Sequence, residues 1–213
     1  MKKLYVAMAG NFGAGKTTLT RMIAEHYHWE PYYEPVVDNP YLDDFYGDMK
    51  RWSFHLQIYF LAKRFQSLIE IQQNDISVIQ DRTIYEDVEI FARNLFRRGE
   101  MTERDFQTYS DLFYDMVSFI SKPDLVIYLR ARPEVLVERI MHRGRQSEKN
   151  IPIGYLKQLN EAYEMWIATY SGQNRVLIVD SETFDPNSDQ TILELIDDEI
   201  QTMISEPQQQ VSR

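Results

Sequence analysis

Four short apolar, β-branched runs punctuate the chain: LYVAMA (4–9), ISVIQD (76–81), DLVIYLR (124–130) and RVLIVD (175–180). Each has the length and continuous hydrophobicity of a strand buried on both faces of a parallel sheet. A shorter run around Tyr32 and Tyr33 supplies a fifth strand. Between these runs the apolar positions recur at steps of three and four, the period of a helix with one buried face. Leu19, Met22 and Ile23 follow the first strand, and Trp52, Leu56, Tyr59, Phe60 and Leu61 open a long helix reaching about Gln73. Phe106, Tyr109, Leu112, Phe113, Met116, Val117 and Ile120 keep the spacing closely. Tyr155, Leu159, Tyr163, Trp166 and Tyr170 repeat it, and Ile192, Leu195, Ile196 and Ile200 close the chain. Strands alternating with helices predict an α/β fold, a three-layer sandwich with a central five-stranded parallel sheet and helices on both faces. Ligands of such sheets sit outside the carboxyl ends of the strands, which selects the polar residues worth weighing.

With 213 residues and 44% hydrophobic content, the chain suffices for one well-buried core, expected over residues 1–204. The closing SEPQQQVSR (205–213) is polar and expected to be disordered. MKKLYVAMAG at the start superficially resembles a signal peptide, but its apolar run is short and leads directly into a glycine loop, so it is read as a strand. No run is long enough to span a bilayer. Twenty-three basic against 33 acidic residues give a net charge of −10, which argues against sequence-independent binding to nucleic acid or an anionic membrane. Any anionic substrate must then be met by locally clustered cations. There is no cysteine, hence no disulfide and no thiolate metal site, and a cytoplasmic location is expected.

The loop GNFGAGKTT (10–18) carries the strongest chemical signal. Gly10, Gly15, Lys16 and Thr17 fit G-x-x-x-x-G-K-[ST] completely, between a strand and a helix. Its glycines let successive N–H groups converge on phosphate oxygens at a positive helix N-terminus. Gly10, Asn11, Phe12, Gly13, Ala14, Gly15, Lys16, Thr17 and Thr18 are thus candidate ATP-binding residues, with Lys16 on the β- and γ-phosphates and the Thr17 hydroxyl on Mg²⁺. The alternative is a purely structural glycine turn.

Two further clusters fall at strand ends. Glu34, in YYEPV, ends the second strand, and Pro35 stops further pairing; Asp81 and Arg82, in IQDRT, end the third. Carboxylates placed there can hold Mg²⁺ or take a proton from an attacking hydroxyl, and Arg82 can neutralise charge on a transferred group. The alternatives are a surface Glu-Pro turn and a plain ion pair. A third cluster, ERIMHRGR, puts Arg139 and Arg143 on one helix face with Arg145 just beyond Gly144. In so acidic a chain these arginines suggest an arginine-rich lid over a triphosphate, spanning about 139–152, rather than a solvated basic patch.

These motifs together resemble the deoxynucleoside kinase family of deoxycytidine, deoxyguanosine and deoxyadenosine kinases, from the phosphate loop to about Phe184, with a P-loop NTPase-like fold. The resemblance implies transfer of the γ-phosphate of ATP, with Mg²⁺, to the 5′-hydroxyl of a deoxynucleoside. By it, YEPV makes Glu34 the general base and a neighbour of the metal. DRT puts Asp81 at the metal and Arg82 beside the 5′-oxygen. RWSFHLQIY makes Gln57 the reader of the base edge, and Tyr46 matches the tyrosine that binds the sugar 3′-hydroxyl. Glu148 matches a lid residue that contacts substrate; Arg139, Arg143 and Arg145 match the lid arginines; and SETF implicates Glu182, Thr183 and Phe184 at the donor adenine. Arg64, seven residues after Gln57 and so on the same helix face, matches an arginine that pairs with an aspartate at the position of Asp87. Thymidine-preferring members lack that pair, so a purine or deoxycytidine is implied; a helix–helix ion pair with no ligand role is the alternative.

FHLQIYFLAKRF and DRTIYED are most similar to the bacterial deoxyadenosine kinases, which favours deoxyadenosine, then deoxyguanosine, then deoxycytidine. Two residues depart from the family pattern: Phe60 stands where a small residue is common, and Asp81 replaces a longer glutamate. Rival functions are a broad-range deoxynucleoside kinase, a nucleoside monophosphate kinase and a non-catalytic nucleotide-binding accessory subunit. The aromatic-rich helices from Trp52 and from Phe106 offer more apolar surface than one sheet face needs, which suggests a homodimer packed through helices; internal core packing is the alternative.

Overall fold

The computed structural model describes residues 3–34, 39–144, 151–182 and 190–205. Arg145, Glu148, Thr183, Phe184 and all but the first residue of the 205–213 tail lie outside the described residues. Five strands, β1 (Tyr5–Ala9), β2 (Glu30–Tyr32), β3 (Val78–Asp81), β4 (Leu125–Arg130) and β5 (Val176–Asp180), form one parallel sheet in the order β2-β3-β1-β4-β5. The helices are α1 (Lys16–Tyr27), α2 (Leu42–Gly47), α3 (Met49–Gln73), α4 (Ile84–Glu86), α5 (Arg93–Arg97), α6 (Glu103–Val117), α7 (Pro133–Arg143), α8 (Ile153–Tyr170) and α9 (Gln190–Ser205). A π-helical turn, Asp87–Ala92, joins α4 to α5.

Alternation along the central strands divides the core in two. Tyr5, Ala7 and Ala9 of β1 face a cluster built with α3, α6, α8 and the π-helical turn, whereas Val6 and Met8 face one built with α1 and α9. Parallel connections require crossover helices on the two faces, so burial of both faces is the expected outcome for the middle strands. It fails at the edge. β5 has one neighbour, and Ile178 is 41% exposed, so the RVLIVD run is not buried on both faces as its hydrophobicity suggests. The other edge, β2, ends at Tyr32, two residues before Glu34, and contains Pro31, which an edge strand tolerates because one side of its backbone has no partner strand.

The stretch 84–97 shows no clean amphipathic stripe because it is buried nearly all round, Glu86 and Asp87 included. A capping box starts it: the Thr83 hydroxyl accepts from the Glu86 N–H, and the Glu86 Oε2 accepts from the Thr83 N–H at 2.6 Å. Among the described residues no helix is long and apolar enough to cross a membrane.

Candidate active site

The carboxyl ends of β1 and β3, the start of α1, and α2, α3 and the π-helical turn surround a cleft that opens to solvent. The phosphate loop forms one end. Gly10 has φ +147° and Gly13 φ +77°, and a Cβ at either would lie 2.9 Å from a backbone carbonyl, that of Leu129 or Leu136, so the loop is seated against β4 and α7. Phe12, Gly13, Gly15, Lys16, Thr17 and Thr18 line the cleft. Asn11 does not: its side-chain amide donates to the Leu156 carbonyl at 3.0 Å and to Asn160 Oδ1 at 3.3 Å, fastening the loop to α8. The Lys16 ammonium donates to the Gly10 and Asn11 carbonyls at 2.8 and 3.1 Å. Burial, then the Arg82 charge, pulls its pKa down to about 8.

The Thr17 hydroxyl donates to Asp81 Oδ2 at 2.6 Å, while the buried Asp81 Oδ1 has no hydrogen-bond partner. An unpaired buried carboxylate oxygen beside a phosphate-loop threonine fits Mg²⁺, which is commonly held by one or two protein oxygens together with substrate phosphates and water. Among the described residues no three His, Cys, Asp or Glu side chains converge as a metal centre. Glu34 is engaged elsewhere. Its Oε1 meets Arg82 Nε at 2.7 Å and Arg64 Nη2 at 3.3 Å, with 17% of the side chain exposed on the cleft. Burial works to raise its pKa, but Arg82, Arg64 and Lys16 together hold it below the ordinary carboxylate value.

Arg82 is the most constrained of these groups. Its backbone has φ +77°, a conformation that side chains other than glycine rarely adopt, and its guanidinium lies 4.6 Å from the Phe91 ring centre and 5.5 Å from that of Phe12. Burial opposes its charge, yet Glu34, Tyr163 and Glu86 push its pKa well above the ordinary value. The π-helical turn explains how Glu86 and Phe91 both reach it: the wide turn, closed by bonds five residues apart, brings such positions onto one face.

At the other end of the cleft, Tyr46, Gln57, Phe60 and Asp87 join Phe45, Leu56, Phe91 and Tyr155 in the lining. Gln57 Oε1 is buried without a partner. Arg64 lies behind this wall, 2.7 Å from Asp87 through Nε and 3.2 Å from the Arg82 carbonyl through Nη1. The pair is asymmetric. Burial opposes the charge on Arg64, but Asp87 and Glu34 more than offset it and raise its pKa. For Asp87, burial outweighs the guanidinium and lifts its pKa from 3.8 to about 6. Arginine keeps its proton at any accessible pH, so the carboxylate is the partner that titrates. A carboxyl group with a raised folded pKa takes up its proton in the folded state first, so its contribution favours folding as pH falls. Relative to Asp87→Asn, the wild type should therefore gain about 2–3 kcal/mol of stability between pH 7 and pH 4, read from urea denaturation across that range.

Of the lid residues described, Arg143 lines the cleft, and Gly144 ends α7 in a left-handed cap. Arg139 is placed differently: its Nη2 donates to the Ser181 and Glu182 carbonyls at 2.5 and 3.0 Å, tying α7 to the segment after β5. The Glu182 carboxylate accepts from the Arg132 N–H at 2.7 Å and from its guanidinium at 2.9 Å, at the start of α7. Sequence reasoning missed Phe91, Tyr155, Glu86 and the role of Tyr163. T-x-x-E at 83–86 was a legible capping signal that would have located Glu86.

A parallel sheet with a phosphate loop after β1, a carboxylate and an arginine at the end of β3 and an arginine, Arg143, reaching the cleft from α7 defines a P-loop phosphotransferase. Comparison with known proteins narrows the class. The family model for deoxynucleoside kinases matches residues 6–205, and the chain belongs to that family. It is 39% identical over 209 residues to the deoxyadenosine/deoxycytidine kinase of Bacillus subtilis, covering 97% of this chain and 96% of that one. It is 41% identical over 183 residues to the deoxyadenosine kinase of Dictyostelium discoideum, covering 85% and 74%. A solved deoxyadenosine kinase from M. mycoides, with the products dCMP and a flexible dCDP bound, superposes with a TM-score of 0.84 at 34% identity, over 93% of this chain and all of that one. The protein is thus a deoxynucleoside kinase, an enzyme of phosphoryl transfer, rather than a nucleoside monophosphate kinase or an accessory subunit.

Proposed function

We propose that the enzyme phosphorylates the 5′-hydroxyl of deoxyadenosine from ATP and Mg²⁺, in deoxynucleotide salvage in the cytoplasm. The observation that carries this reading is the continuity of one cleft, with a phosphate loop at one end, the unpartnered Gln57 Oε1 at the other and the Glu34–Arg82 ion pair between them. The base sits against Phe91 and Gln57, the sugar 3′-hydroxyl at Tyr46, and the 5′-hydroxyl at Glu34. As the 5′-oxygen attacks the γ-phosphorus, its proton passes to Glu34 and the bond to the β–γ bridging oxygen breaks, releasing ADP. Lys16, Arg82 and Arg143 meet the charge on the transferred group. Four cations, Lys16, Arg64, Arg82 and Arg143, are matched by four carboxylates, Glu34, Asp81, Glu86 and Asp87, so a triphosphate needs added positive charge. Thr17 and Asp81 would hold Mg²⁺, which would supply that charge by neutralising the phosphates.

Deoxycytidine is the second reading, because the Bacillus subtilis relative is named for both nucleosides and the M. mycoides deoxyadenosine kinase holds dCMP. Assay of the four deoxynucleosides and of dAMP with ATP and Mg²⁺ tests both. The highest kcat/KM is expected with deoxyadenosine and none above background with dAMP, whose phosphate Glu34 repels. A preference for dAMP, or for thymidine, defeats the proposal.

The enzyme is further proposed to work as a homodimer packed through α3 and α6. Ile69, Leu112, Tyr114 and Phe119 stand exposed there, Phe119 by 77%. Light scattering at micromolar concentration should return twice the 25.4 kDa chain mass, and a monomer would remove this part of the reading.

A further inference from the structure

Glu86 is wholly buried, and its two carboxylate oxygens face different partners. Oε2 closes the capping box at Thr83. Oε1 has no part in that cap: it accepts from the Tyr163 hydroxyl at 2.7 Å, from Arg82 Nη1 at 3.4 Å and from the Gly10 N–H at 3.3 Å. The Tyr163 hydroxyl in turn accepts from Arg82 Nη1 at 2.6 Å. Burial raises the Tyr163 pKa well above that of a free phenol, so it stays a donor to the carboxylate. Tyr163 comes from α8 and Glu86 from α4, so two separate elements grip the same nitrogen of Arg82 on the side away from Glu34.

Such a grip has a use in the reaction. Glu34 is the other carboxylate on Arg82, and it must turn to a hydroxyl to accept a proton. An arginine held by Glu34 alone would be freed at the moment its charge is needed. The geometry points to Glu86 and Tyr163 as positioning residues that keep the Arg82 guanidinium aimed at the transferred phosphoryl group while Glu34 releases it. Neither touches substrate. The inference rests on the proposed role of Arg82, and three variants separate the two ideas.

Glu86→Gln retains the capping box, which glutamine also forms, but removes the charge facing Arg82. Tyr163→Phe keeps the ring stacked on Tyr128, with centroids 5.8 Å apart, and removes only the hydroxyl. Each should lower kcat by about tenfold with KM for nucleoside and for ATP changing less than about threefold, since a mispositioned group acts in the transition state and not on ground-state binding. If Glu86→Gln does not fold, Tyr163→Phe alone decides. Unchanged kcat in Tyr163→Phe overturns the inference, as does a rise in KM for ATP at constant kcat, the signature of mere support for the loop at Gly10. Arg82→Ala is the control. Its loss of kcat, with the other two variants unaffected, sinks only the positioning inference; its normal kcat sinks the reading of Arg82 itself.

Discussion

Replacing Glu34 with Gln should lower kcat by about 100-fold or more while KM for ATP changes by less than about threefold. The side chain keeps its length, and its carbonyl oxygen can still accept from Arg64 and lie beside the Arg82 guanidinium, so the wall of the cleft should hold. What disappears is the proton acceptor. The proposed ATP contacts, the phosphate loop with Lys16 and Thr17, do not depend on Glu34 for their place: Lys16 is held by loop carbonyls and Thr17 by Asp81. Steady-state kinetics with deoxyadenosine varied at saturating ATP, then the reverse, separate the two constants. A variant with near-normal kcat would dismiss Glu34 as the base.

The second large effect is on stability. Asp87→Ala should cost about 3–5 kcal/mol, the usual penalty for stranding one member of a buried ion pair. In a chain of this size that lowers Tm by about 10 °C, measurable by thermal denaturation at pH 7. The cost is not symmetric. Arg64 is only 2% exposed and cannot shed its charge, so without Asp87 its remaining partners among the described residues are Glu34, at 3.3 Å, and the Arg82 carbonyl. Asp87, with a pKa already lifted to about 6, escapes the loss of its partner by taking up a proton. Arg64→Met should therefore destabilise less than Asp87→Ala, and an equal or reversed ranking would contradict this account of the pair.

Much of this was legible in the sequence because it rests on contiguous residues. The phosphate loop is one unbroken motif, and the middle strands announce themselves as apolar runs. Asp81 and Arg82 were findable because they end such a run. β5 misled because its residues match those of a central strand, and only the sheet order makes it an edge. The stretch 84–97 was hidden for the opposite reason: its buried acids look like surface residues until Arg82, Arg64 and Tyr163 are seen to satisfy them. Arg139 and Asn11 belong to motifs read as nucleotide-binding, and no spacing rule reveals that their side chains fasten α7 and the loop to neighbouring elements. Phe91 and Tyr155 line the cleft from elements far apart in the chain, a proximity that needs the folded topology.

The wide helical turn at Asp87–Ala92 sets the angular offset between α4 on one side of it and α5 on the other. Winding the same residues as regular α-helix, with none removed, would rotate the two sides against each other by about 100°, the turn of one residue. Glu86 and Phe91, five residues apart, would then point to different sides and no longer both reach Arg82. A redesign that tidied this helix for stability would preserve the molecule's outline and scatter the groups that make it an enzyme.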